Sequence, residues 1–108
     1  MNSLFNNCKS LTHLNLSNFD TQNVINMNNM FSDCQCLTKL NLSIFDTQNV
    51  TDMSYMFFNC ESLTNLNLNN FNTDKVTNIN WMFKYCDELD ELNFATDNMK
   101  ILYEFKKK

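Results

Sequence analysis

The chain has 108 residues, enough for one small domain with a modest core. Its formal charge is −4, and three of its lysines (Lys106, Lys107, Lys108) crowd the C-terminus, so the body is more acidic than the total. That balance argues against nucleic acid as a partner, and no apolar run approaches the roughly eighteen residues of a membrane span.

Glycine, proline and arginine are absent, while Asn fills about a fifth of the positions, a compositional bias. Without glycine, every turn that needs a positive φ falls to Asn or Asp, the residues that tolerate the left-handed region best after it.

From the first residue onward the chain repeats itself. Residues 1–8 align on 27–34, and the register of 26 holds to about residue 95. Phe5, Phe31, Phe57 and Phe83 form one column; Cys8, Cys34, Cys60 and Cys86 form the next. Leucine columns follow at 11, 37, 63 and 89 and at 14, 40, 66 and 92, and a third is completed by Phe94 after Leu16, Leu42 and Leu68. Each unit begins with a short apolar–polar alternation such as Leu40-Asn41-Leu42, which predicts a strand with one buried face. A turn segment of the form Phe-Asp-Thr-x-Asn-Val comes next. Met27, Met30, Phe31 and Cys34 then fall at i, i+3, i+4 and i+7, predicting a short amphipathic helix with Asn26, Asp52 or Asn78 as N-cap in successive units.

A single unit is too small to bury its own Leu, Phe, Met and Cys side chains, so neighbours must stack on it. The spacing L-x-x-L-x-L and the period together predict an α/β fold: a right-handed leucine-rich-repeat solenoid of about four coils. Its parallel strand ladder would form one face and its short helical segments the other. The solenoid is assigned to residues 1–96, and 97–108 to a capping segment with a lysine tail. An uncapped first unit would leave the strand around Leu14 and Leu16 as an open edge, a route to self-association.

The phrase MFxxCxxLTxLNLSxFDTxNVTxM resembles the repeat of the BspA-like leucine-rich-repeat surface proteins, in the version common in mycoplasma surface lipoproteins. The resemblance implies adhesion or host-protein binding at a cell surface. Members of that family carry a signal or lipoprotein peptide upstream, and none is visible here, so surface location rests on the resemblance and a cytoplasmic one stays open.

Four cysteines share one column at a spacing foreign to zinc sites, which bring ligands together in C-x2–4-C pairs. They read as buried thiols, with Cys36 outside the column as the exposed one. His13 is the only histidine, and a pairing with Cys36 would lack an orienting group and oxyanion donors. No catalytic residue, metal or cofactor is therefore expected. The Asp-Thr pairs at 20–21 and 46–47 offer too few oxygens for calcium and read as turn caps.

The strand's polar positions predict an outward ladder of His13, Asn15, Ser17, Lys39, Asn41, Ser43, Asn65, Asn67, Asn69, Glu91 and Asn93, either a ladder of mutually bonded, hydrated amides or a binding face. A second surface carries Tyr55, Phe58, Trp81 and Tyr85, where earlier units have Asn29, Ser32 and Asp33. It is either a docking patch or the seat of Ile101, Leu102, Tyr103 and Phe105, the second being preferred. The function these features suggest is protein–protein recognition in a bacterial surface or adhesion protein, with a host extracellular or surface protein as partner. A structural spacer array is the alternative, and a cysteine-dependent enzyme a distant third.

Overall fold

The computed structural model describes all 108 residues. Its governing feature is the backbone of the segments expected to be helices. Asn29 and Asp33 have φ of 56° and 62°, and their equivalents Tyr55, Asn59, Trp81 and Tyr85 are also left-handed. A residue with positive φ every fourth position cannot propagate an α-helix. Alternate N–H groups instead cross to the following unit. Asn29, Phe31 and Asp33 donate to the carbonyls of Ser54, Met56 and Phe58 at 3.0, 2.9 and 2.8 Å. Tyr55, Phe57 and Asn59 donate likewise to Asn80, Met82 and Lys84 at 3.0, 3.0 and 2.8 Å. The intervening residues close tight turns, Met30 to Met27 and Cys34 to Phe31 among them. The apolar stripe is therefore buried as expected, Met27, Met30, Phe31 and Cys34 at 0 % exposure, although no helix presents it.

Strands are equally short. β1 (Lys39–Leu40), β2 (Asn65–Asn67) and β3 (Phe94–Ala95) form one open parallel sheet in the order β1-β2-β3. Each asparagine after the first strand leucine ends the ladder locally. Asn41 and Asn67 accept from the N–H groups of Ser43 and Asn69 through Oδ1 at 3.0 and 2.9 Å, curling the chain away. The segment around Leu14 and Leu16 forms no strand, so the sheet's first edge is β1 rather than this segment; Leu16 is buried and Leu14 half-buried.

These findings correct the expected architecture. The chain is a small body of 30 × 29 × 20 Å with one helix and an open three-stranded sheet, not a four-coil leucine-rich-repeat solenoid with helices facing its strands. The one helix, α1 (Met99–Lys106), is capped by Asn98, whose side chain accepts from the Ile101 N–H. It seals the end of a continuous core. Phe5, Phe31, Phe57 and Phe83 stack at 5.6, 5.7 and 5.8 Å, and Phe105 closes the row edge-on to Phe83 at 5.6 Å. Phe105 also stacks on Phe94 at 4.0 Å, so 97–108 completes the same core as 1–96.

The last unit departs from its register. Leu66 pairs with Phe94 and Asn67 with Ala95, two residues later than the repeat predicts. Asp90 and Asn93 close a turn around the extra residues: the Asp90 N–H donates to Asn93 Oδ1 at 2.8 Å, and the Leu92 N–H to Asp90 Oδ1 at 2.9 Å. Leu92 is expelled to 97 % exposure, whereas its column-mate Leu66 is buried. Leu66→Ala should therefore lower stability by about 2–5 kcal/mol, and Leu92→Ala should change it by no more than about 0.5 kcal/mol, as read from urea midpoints.

Candidate functional site

The expected polar ladder is only partly assembled. A shallow groove of about 840 Å³ crosses the sheet, and its walls include His13, Asn15, Lys39, Asn41, Asn65, Asn67 and Asn93. Ser17 and Ser43 line a notch beside it, and Ser43 and Asn69 another. Glu91 lies in the expelled turn and lines neither groove nor notch, and Asn93 is bonded into that turn rather than paired with Asn67. The amides do not bond to one another. Asn15, Asn41 and Asn67 each turn Oδ1 to an N–H two residues on, leaving their Nδ2 groups without a protein partner.

The aromatic surface is the more organised of the two. Tyr55 stacks on Trp81 at 6.0 Å, and Phe58 meets Tyr55 and Tyr85 edge-on at 5.4 and 5.5 Å. Lys84 Nζ sits 5.2 Å from the Trp81 ring and 5.4 Å from that of Tyr85, a cation over two π faces. Tyr55, Trp81 and Tyr85 remain 37, 48 and 50 % exposed. The C-terminal segment does not use this surface as its seat: Ile101 and Phe105 enter the core instead, the latter against Phe83 and Phe94, and Tyr103 stays exposed. Lys84 was not singled out from the sequence, although its place between Trp81 and Tyr85 was the available signal.

A row of buried threonines also escaped notice behind its turn-forming neighbours. Thr21 Oγ1 accepts from the Asp46 N–H at 2.8 Å and donates to its carbonyl; Thr47 does the same with Asn72. Asn98 ends the row by donating to Thr73 Oγ1 at 2.8 Å, so one side chain caps both α1 and the threonines. Asp20, Asp46 and Asn72 cap their own turns, accepting from Gln22, Gln48 and Asp74. No three His, Cys, Asp or Glu side chains converge as ligands around one point.

Cys34, Cys60 and Cys86 are buried, and each thiol donates to a phenylalanine carbonyl of the preceding unit at 3.0–3.1 Å. Cys8 is partly exposed and Cys36 exposed, with no hydrogen bond between Cys36 and His13. Burial pushes the Cys34 thiol up to about 11 and that of Cys86 to about 12, and raises Cys60 as well.

Residues 1–106 match the family described as Mycoplasma protein of unknown function, DUF285. The chain belongs to this family. No curated protein and no solved structure matches it. In this DUF285 chain no helix is long and apolar enough to cross a membrane.

The raised thiols set a pH dependence. Above the ordinary value of 9.0 the unfolded chain gives up thiol protons that the folded chain keeps, so the thiols' contribution is complete below that pH. It is lost as pH rises toward about 11 for Cys34 and about 12 for Cys86. Urea midpoints should fall from neutral to strongly alkaline pH, and Cys86→Ala, though less stable throughout, should show a smaller fall than the parent.

Proposed function

We propose that this chain is a non-enzymatic protein-recognition module, acting through the aromatic face of Tyr55, Phe58, Trp81 and Tyr85. The observation that carries this reading is the backbone beneath three of those side chains. Tyr55, Trp81 and Tyr85 occupy left-handed φ of 59°, 62° and 66°, where the first two units place Ser3, Asn7, Asn29 and Asp33. For a bulky residue that conformation costs roughly 1–2 kcal/mol, and half-exposed rings recover little of it by burial. Strain of this kind concentrates at binding sites, and Trp and Tyr dominate the contact energy of protein interfaces. A spacer array that held other domains apart would have no use for strained, exposed aromatics.

The wider setting is a bacterial surface protein of the BspA-like kind, with a host extracellular or surface protein as the partner. DUF285 membership and the resemblance of the repeat support that setting. The groove is the second reading, favoured by the row of free Asn Nδ2 donors at strand spacing, which suits the carbonyls of an extended polypeptide.

A partner recovered from host extracellular matrix and identified by mass spectrometry would then be titrated against two variants. Tyr85→Asn should weaken its affinity by about tenfold or more, yet leave thermal stability equal or raised by up to about 1 kcal/mol through relief of the left-handed strain. Asn41→Asp with Asn67→Asp should leave the affinity unchanged; the reverse pattern would transfer the site to the groove.

A further inference from the structure

The cross-unit bonds run out at the last unit. Tyr55, Phe57 and Asn59 give their N–H groups to the carbonyls of residues 80, 82 and 84, but the equivalent N–H groups of Trp81, Phe83 and Tyr85 have no acceptor. The place of a following unit is taken by α1, which covers the Phe83 ring with Phe105 but offers no row of carbonyls to these donors.

Between this donor edge and the end of α1 lies a notch of about 170 Å³, lined by Asn80, Trp81, Lys84, Glu104, Lys107 and Lys108. Three lysines thus meet one carboxylate in a protein whose formal charge is −4. Lys107 Nζ is 3.7 Å from Glu104, which leaves Lys84 and Lys108 without an ionic partner. Their heads are placed by rings rather than by acids: Lys84 over Trp81 and Tyr85, Lys108 at 5.4 Å from the Phe105 ring. Trp81 lines the notch, and its backbone N–H, which has no acceptor, adds a polar donor to the three ammonium groups. The volume falls below the range of pockets that enclose whole drug-sized ligands, so it suits a single charged group.

We propose that this notch binds an oxyanion of the phosphate or sulfate type, held by Lys84, Lys107, Lys108 and the Trp81 N–H, either free or as the terminal group of a larger molecule. The site does not depend on the aromatic face being a protein contact, since its donors are lysines and backbone.

Trp81 is the only tryptophan, so its emission reports the notch directly. At constant ionic strength set by sodium chloride, inorganic phosphate should change that emission saturably and shift the Trp81 amide resonance. Replacing Lys84 and Lys107 together by Gln should weaken binding by about tenfold or more, while Lys9→Gln in the first unit should leave it unchanged. Should the double variant fail to fold, Lys108→Gln alone serves, with a smaller loss expected. Methyl phosphate separates the sources: equal binding means a group carried on a larger molecule, and binding of inorganic phosphate alone means a free ion. A response that does not saturate with either compound, or one that survives loss of the lysines, overturns the proposal.

Discussion

The constraint on which the structure rests is the crossing of alternate backbone N–H groups from one unit to the next. To aim every second N–H along the stacking direction, the chain sets a left-handed residue at every fourth position, and this sequence does so without a single glycine. Eight residues occupy the left-handed positions; Asn7, Asn29, Asp33 and Asn59 tolerate that geometry, whereas Ser3, Tyr55, Trp81 and Tyr85 adopt it without that advantage. Once those bonds hold, the spacing of units is fixed. The phenylalanine rings then stack, each buried thiol reaches a carbonyl of the preceding unit, and each threonine hydroxyl meets the peptide of the following one.

That dependence explains what was legible in the sequence. Columns of Phe, Cys, Met and Leu announced which side chains are buried, and the Phe31, Cys60 and Leu63 positions are indeed inside. What the columns did not announce was the backbone that carries them. A stripe at i, i+3, i+4 and i+7 is produced by an α-helix, and also by tight turns with a left-handed residue every fourth position. The discriminating mark was the pair Asn29 and Asp33, left-handed formers four residues apart, where a helix would favour other residues. Tyr55, Trp81 and Tyr85 then concealed that mark in later units. The same holds for Leu92, whose place in a leucine column is overruled by the reciprocal bonds of Asp90 and Asn93. Local side-chain capture of the backbone is stronger there than the pull of the repeat.

The candidate surfaces differ in the same way. Exposure of Asn15, Asn41 and Asn67 followed from simple alternation, whereas that of Tyr55, Trp81 and Tyr85 ran against the preferred reading of a covered seat. Their energetic character did not, because it depends on a φ value in one case and on the partner of Oδ1 in the other. Lys84 meets Trp81 and Tyr85 within its own unit, whereas Asn98 acquires its meaning only when the start of α1 meets Thr73.

The crossing bonds of residues 29, 31 and 33, and of their equivalents 55, 57 and 59, all point the same way: the earlier unit donates and the later one accepts. The stack of turns is consequently directional, each turn presenting carbonyls to the unit before it and amides to the unit after it. Two-fold pairing of like faces would set acceptor against acceptor or donor against donor. A further unit joins such a stack through these bonds only head to tail.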